Sequence, residues 1–179
     1  MEKKKSAKEY LMESAIELLS KGRVENISVR DIADNCGVST RTFYNYFRDK
    51  HDLFLSIYTS DLEDFFQKNK EGLTFYPFMW HTGVVLWEYK EFFKNFQAYM
   101  GQNNFRDSVF DPLMEYYERI ITECFHEEVT PEVHAALMFF VHGMIGYVYW
   151  YYSQPELQSL EEGIPFFREN APEILKKYF

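Results

Sequence analysis

The residues best suited to chemistry lie between Ser28 and Lys50, where basic side chains alternate with hydroxyls, an amide and phenols. Such groups hydrogen-bond the base edges and phosphate oxygens of DNA. The residue types alone leave a second interpretation equally open, a pair of packed helices with a polar outer face. The candidates for DNA contacts are Arg30, Ser39, Thr40, Arg41, Thr42, Tyr44, Asn45, Tyr46 and Lys50.

The elements that must position these side chains are two short helices joined by a tight turn, predicted over residues 28–47. Ser28 and Ser39 are of the type that caps helix N-termini, and Gly37 permits a left-handed turn between the helices. This arrangement is typical of a helix-turn-helix. The residues expected to pack inward are Ile32, Ala33, Val38, Phe43 and Phe47.

Charge is divided unevenly along the chain. Residues 1–50 hold 10 Lys and Arg against 8 Asp and Glu, a net charge of +2, whereas residues 51–179 hold 9 against 20, a net charge of −11. An acidic surface repels nucleic acid. Any DNA contact is therefore expected within the first fifty residues.

The hydrophobic period is helical nearly everywhere, so the fold class is predicted to be all-α. A first helix is capped by Ser6 and stops at Gly22, and Asp49 caps a fourth helix with an apolar stripe running to Phe65. Further helices are predicted near 77–100, 106–126, 131–152 and 159–178, the last made irregular by Pro165 and Pro172.

The segment ISVRDIADNCGVSTRTFYNYFRDKHDLF closely resembles the DNA-binding signature of the TetR/AcrR regulators. Three positions depart from it. Cys36 replaces the usual alanine, Tyr46 the usual histidine, and Arg41 a common glycine, so Arg41 is expected to read a base that other members leave alone. The matching residues are Val29, Arg30, Ile32, Ala33, Gly37, Val38, Ser39, Thr42, Tyr44, Phe47, Lys50 and Leu53.

The resemblance implies a homodimer that binds a near-palindromic double-stranded DNA operator. It implies a three-helix helix-turn-helix domain over 1–50 and a helical effector-binding and dimerisation domain over 51–179. The expected activity is that of a repressor released from its operator by a small molecule whose identity the sequence does not give. The alternative is a helical co-regulator or activator that acts through protein partners without such an effector.

No enzyme is predicted, because the sequence carries no Ser/His/Asp order, no phosphate-binding loop and no dinucleotide glycine pattern. The stretch HEEVT lacks the second histidine of a zinc protease motif, so neither a metal site nor a cofactor is expected. The two cysteines, Cys36 and Cys124, follow no disulfide pattern, and the N-terminus lacks the apolar core of a signal peptide. A cytoplasmic protein is predicted.

One uncharged segment, Ala135–Gln154, approaches the length of a membrane span. Its flanks are acidic on both sides, however, with no positive side to orient it, and its Trp and Tyr residues cluster at one end. The segment also resembles the penultimate helix of one TetR subgroup, which belongs to the dimer's four-helix bundle. A dimer interface and no membrane contact are therefore predicted, with Phe139, Gly143, Gly146, Tyr147 and Trp150 as interface residues.

Aromatic residues are concentrated between positions 75 and 100. Most are expected to be core, but aromatic rings with polar atoms at their edges also suit an apolar ligand cavity. The predicted cavity residues are Trp80, Trp87, Phe92, Phe96, Tyr99, Tyr116 and Tyr117.

Overall fold

The structure, a computed structural model, describes residues 5–21, 26–88, 105–153 and 160–179. Within these ranges every regular element is helical, which confirms the all-α prediction. The elements are α1 (Ala7–Lys21), α2 (Val29–Asn35), α3 (Thr40–Tyr44), α4 (Lys50–Asn69), α5 (Phe75–Glu88), α6 (Phe105–Arg119), a π-helix (Ile120–Cys124), α7 (Pro131–Ser153), α8 (Leu160–Glu169) and a 3₁₀-helix (Glu173–Tyr178).

Helices α1 and α4 begin where side-chain capping predicts. The Ser6 hydroxyl accepts a hydrogen bond from the Glu9 amide at 3.2 Å, and the Glu9 carboxylate accepts from the Ser6 amide at 2.6 Å. Asp49 accepts from the amide of Asp52 at 2.9 Å. Both caps satisfy amides that lack partners in the first helical turn.

Three details differ from the predicted helices. Helix α3 ends at Tyr44 rather than near Phe47, because Asn45 and Tyr46 donate to carbonyls three residues back and tighten the chain. The predicted helix over 159–178 is divided, because Pro172 cannot donate to a continuing helix and a 3₁₀-helix follows it. On α4, Phe66 is fully buried while Phe65 is only half-buried.

The described residues form two compact units, with a boundary inside α4 between Ser60 and Asp61. In the first unit, α1, α2 and α3 pack on one another, and the first half of α4 belongs to the same unit. The core of this unit consists of Leu11, Ala15, Leu19, Ile32, Ala33, Phe43, Phe47, Leu53 and Phe54, each at most 2% exposed. A small helical domain of this kind holds α3 from one side and leaves its other side to solvent.

The second unit contains Asp61–Glu88 and Arg106–Phe179. Aromatic rings dominate its core: Tyr117 packs edge-on against Phe75 and Phe78, with ring centroids 4.8 and 5.6 Å apart. The 3₁₀-helix closes one side, where the buried Tyr178 donates to Glu127 at 2.8 Å. This aromatic core accounts for part of the high aromatic content of the sequence.

Candidate nucleic-acid interface

The first helix of the predicted helix-turn-helix is fixed at its start by a capping box. The Ser28 hydroxyl accepts from the amide of Asp31 at 3.1 Å, and the Asp31 carboxylate accepts from the amide of Ser28 at 2.8 Å. The Ser28 hydroxyl also donates to the Asp31 carboxylate at 2.6 Å, and this bond first, then the one from the Ser28 amide, lowers the pKa of Asp31 below its ordinary value. The reciprocal pair satisfies two amides at once and defines where α2 begins.

The end of α2 is held by a polar contact with α1 that the sequence pattern did not predict. The buried hydroxyl of Ser14 donates to the Ile32 carbonyl at 2.7 Å, and the same oxygen accepts from the Asn35 side-chain amide at 3.0 Å. A carbonyl in the last turn of a helix needs such an outside donor. Ser14 of α1 therefore donates the hydrogen bond that the Ile32 carbonyl does not receive from a backbone amide of α2.

The turn between the two helices depends on Gly37, whose φ of 69° lies in the left-handed region that suits glycine. The amide of Val38 then donates to the Ala33 carbonyl at 2.9 Å, which closes the end of α2. Ser39 follows as the cap of α3 and accepts from the amide of Thr42 at 3.0 Å. The turn thus sets the direction in which α3 leaves the domain.

Helix α3 is anchored by Phe43 on its inner side and by Phe47 in the turn that follows it. Phe43 is 0% and Phe47 2% exposed, and their ring centroids lie 5.5 Å apart. The Lys8 ammonium lies 5.9 Å from the centre of the Phe47 ring, a cation–π contact between α1 and this inner side. These aromatics brace the short helix so that its outer residues have a fixed support.

The outer side of this segment carries the predicted DNA-contact residues. Tyr44 and Tyr46 are 60% and 46% exposed, and Thr40, Arg41 and Asn45 are exposed as well. In the part of the chain that the structure describes, Arg41 forms no ion pair. A guanidinium presented in this way is available for a bidentate contact with a base or a phosphate.

The remaining predicted contacts are already engaged within the domain. The hydroxyls of Ser39 and Thr42 lie 2.8 Å apart and hydrogen-bond each other. Arg30 pairs with Asp34 at 3.4 Å, although both side chains are mostly exposed and the pair is weak. The half-buried Lys50 donates to the Ile27 carbonyl at 3.2 Å, so it also ties the start of α4 to the segment before α2.

Of the predicted ligand-cavity residues, three have described side chains. Tyr116 and Tyr117 are buried, with their hydroxyls donating to Glu63 at 2.9 Å and to the Met144 sulfur at 3.4 Å, whereas Trp80 is half-buried beside Tyr76. The side chain of Trp87 and the whole of Phe92, Phe96 and Tyr99 lie outside the described residues. The aromatic cavity stays a prediction.

The predicted dimer residues lie along α7, and several of them face outward. Phe139 is 77% and Trp150 52% exposed, and Gly143 is exposed with open space where a Cβ atom would stand. Gly146 is half-buried, and Tyr147 stacks on Phe166 of α8 with ring centroids 5.1 Å apart. The opposite side of α7 is buried through Leu137, Phe140, Val141, Met144 and Ile145.

None of the helices in the described ranges has the length and apolar character that crossing a membrane requires. Within the same residues, no group of three or more His, Cys, Asp or Glu side chains is placed to hold a metal ion.

Comparison with known proteins places the helix-turn-helix in a family. Residues 11–57 match the model of bacterial regulatory proteins of the tetR family. That stretch covers α1, α2, α3 and the start of α4. No curated protein matches the chain by sequence.

Solved structures share the fold along nearly the whole chain. A dihydroxyacetone kinase operon activator, DhaS, has a TM-score of 0.69 and 15% identity, with 96% of this chain and 97% of that one covered. A TetR regulator from Rhodococcus sp. RHA1 has 0.58 and 18%, covering 93% and 94%. The AlkX repressor from Dietzia sp. strain DQ12-45-1b has 0.61 and 12%, covering 97% of each chain.

At identities this low, the structural similarity shows a shared fold and nothing more. The match over residues 11–57 identifies the DNA-binding segment itself. Members of this family are DNA-binding regulators rather than enzymes. Residues 11–57 of this chain therefore carry the DNA-binding domain of the tetR family of bacterial regulatory proteins.

Proposed function

We propose that the protein is a homodimeric repressor that binds a near-palindromic operator and leaves it when a small molecule binds. The observation that carries this proposal is the outer side of α3 and of the turn that follows it. There Arg41, Tyr44 and Tyr46 are exposed while Phe43 and Phe47 are buried behind them. A rigid support with an exposed guanidinium and phenols suits insertion into a major groove.

Charge supports the same orientation toward DNA. The first fifty residues have a net charge of +2, and the remainder has −11. DNA attracts the first region and repels the second, so an encounter favours the helix-turn-helix side. The proposed domain boundary follows this change in charge, with DNA binding in 1–50 and effector binding and dimerisation in 51–179.

A second copy of the chain is the proposed occupant of the exposed side of α7. Phe139 and Trp150 would otherwise leave large apolar surfaces in water, and Gly143 lets a second helix approach closely. A twofold axis covers the same patch on both copies at once. Two helix-turn-helix domains then reach half-sites about 34–36 Å apart, as dimeric regulators of this type require.

Release is proposed to occur by population shift. In one conformation the dimer spans both half-sites, and in the other it does not. An effector that binds the second conformation more tightly lowers the affinity for the operator, and the ratio of its affinities for the two conformations limits the size of this effect. The proposed effector-binding residues are those of the aromatic set, which includes Trp80, Tyr116 and Tyr117. Because the proposed partner is operator DNA, the protein is proposed to act in the cytoplasm.

A second candidate function is activation, directly or with a protein partner. It is favoured by one structural neighbour that is described as an operon activator, against another described as a repressor. A reporter placed behind the protein's own promoter separates the two. Repression predicts higher expression when the gene is deleted, whereas activation predicts lower expression.

The direct test of the proposed function is a gel-shift with DNA from upstream of the protein's own gene. Binding should be specific, resist competing random DNA, and weaken steeply as salt rises. Arg41→Ala is the informative variant, because Arg41 is exposed on the proposed DNA-binding side. Arg168→Ala removes an exposed arginine of α8 and is its matched control. Equal affinity for the upstream DNA and a random duplex would refute operator recognition.

A further inference from the structure

A polar cleft lies where α4 ends and the π-helix turns toward the following loop. Its walls are residues 67–72 on one side and Glu123, Cys124 and His126 on the other, and its volume is about 820 Å³. Binding sites for small metabolites usually have volumes of about 300–1,000 Å³. The lining is mostly charged or amide groups, so an apolar molecule has little to contact here. This cleft includes none of the residues of the predicted aromatic cavity.

The backbone of the second wall has two uncommon features. Ile120–Cys124 form a π-helix, an element that often marks functional sites. His126 has a φ of 56°, which places a non-glycine residue in the left-handed region. Strain of this kind persists only where the surrounding structure fixes it, and it concentrates at binding sites.

The charges of the cleft are balanced. Lys70 and Glu123 form an ion pair of 2.7 Å that joins its two walls. Lys68 and Glu71 are exposed and form no ion pair among the described residues. Burial raises the pKa of the Cys124 thiol, which keeps that group neutral. One unpaired charge of each sign therefore remains, and a ligand with one carboxylate and one ammonium group complements both.

A chain of contacts leads from this cleft back into α4. Glu123 accepts from Arg119 Nε at 2.8 Å, and Arg119 Nη1 donates to Glu63 of α4 at 2.7 Å. The Arg119 guanidinium also lies 4.1 Å from the centre of the Phe66 ring, on the same helix. Hydrogen bonds from Lys70 and then Arg119 lower the pKa of Glu123, so it stays an anion and holds both cations. Lys70 lines the same cleft as Lys68 and Glu71, so the carboxylate of a ligand bound to Lys68 also attracts Lys70 away from Glu123 and changes the partners of Arg119.

We propose that this cleft binds a small zwitterion of the amino-acid class, and that its occupancy is transmitted to α4 through Glu123, Arg119 and Glu63. Helix α4 is continuous from Lys50 to Asn69, and its first turn follows the helix-turn-helix directly. A rearrangement at its last turns therefore reaches the DNA-binding segment without an intervening loop. Only this second half of the proposal rests on the proposed operator binding.

Binding is tested first without DNA, by calorimetry of the full chain against each protein amino acid on its own at millimolar concentration. At least one should bind. Lys68→Met and Glu71→Gln should each weaken that binding about tenfold, the effect expected for loss of one charged contact. Glu115→Gln changes an exposed glutamate of α6 outside the cleft and should have no effect. No heat with any amino acid, or unchanged affinity in both cleft variants, overturns the site.

Transmission is tested with the same amino acid in the operator gel-shift. The wild type should change its operator affinity when the amino acid is added. Glu63→Gln lies outside the cleft, so it should bind the amino acid but lose this response, and Tyr116→Phe, which removes one hydrogen bond to Glu63, should show a reduced response. A wild-type response retained in full by both variants overturns the route. Failure to bind operator in the absence of amino acid refutes the proposed function and leaves the calorimetric result standing.

Discussion

Replacing Glu63 by glutamine removes the charge on which three side chains of the second unit converge. The Glu63 carboxylate accepts from Arg119 at 2.7 Å, from Gln67 at 2.6 Å and from the Tyr116 hydroxyl at 2.9 Å. Arg119 first, and then Gln67, lower the pKa of Glu63 from 4.5 to about 2, and burial with the same carboxylate raises the pKa of Tyr116. The ionised form is therefore the one that the folded state stabilises.

The size of the effect follows from that shift and from exposure. The full shift corresponds to roughly 3 kcal/mol of differential stability. The Glu63 side chain is 42% exposed, however, so water screens a large part of the attraction. We expect Glu63→Gln to lower the free energy of unfolding by about 1–2 kcal/mol at neutral pH.

The stabilisation by Glu63 should depend on pH in a direction that can be tested. Because the folded-state pKa lies below the unfolded value, the stabilisation is complete above pH 4.5 and is lost as the pH falls toward about 2. Urea unfolding at neutral pH and at about pH 3 should therefore show a gap between wild type and Glu63→Gln that narrows in acid. Glu115→Gln, on an exposed position of α6, is the matched control. A gap no larger than that of the control, or one that does not depend on pH, would refute the reasoning.

Three further predictions concern the DNA-binding segment and the proposed dimer interface. Arg41→Ala should weaken specific binding by about 1–3 kcal/mol and relax preference at one base pair per half-site; uniform weakening on every sequence would instead mean a phosphate contact. Lys50→Ala should lower affinity for all sequences and reduce the salt slope by about 1, with a stability loss of about 1 kcal/mol from the bond to Ile27. An unchanged slope would leave Lys50 with that structural role alone. Gly143→Leu should give monomers or aggregates in sedimentation and lose operator binding, and wild type that sediments as a monomer at micromolar concentration would contradict the interface.

The parts of the fold that the sequence predicted are those decided within a few residues. Ser6, Ser28, Ser39 and Asp49 each cap a helix through bonds to neighbouring amides, and such caps are visible in the order of residue types. The turn at Gly37 belongs to the same class, because it depends on the conformation of one residue. Helix caps and tight turns can therefore be predicted from neighbouring residues, without knowledge of the rest of the chain.

The parts that the sequence left out are decided by distant partners. Arg119 and Glu63 are 56 residues apart, and no spacing rule joins them. The same holds for Phe66, which is buried in place of the predicted Phe65 because packing in the second unit decides which side of α4 is covered. Lys50 was assigned by resemblance to a DNA contact, and its bond to the Ile27 carbonyl could be found only in three dimensions.

The hydroxyl of Ser14 makes the two helices of the DNA-reading motif dependent on a helix outside it. The Ile32 carbonyl receives its donor from α1, and the Asn35 amide donates to the same hydroxyl. A peptide cut to residues 28–50 would lack both hydrogen bonds, together with the rest of α1, on which α2 packs. The motif is consequently not a portable module. Transplanting it into a relative to change operator preference requires a serine at the position of Ser14, because otherwise the Ile32 carbonyl loses its shortest hydrogen bond, at a cost of about 1–3 kcal/mol.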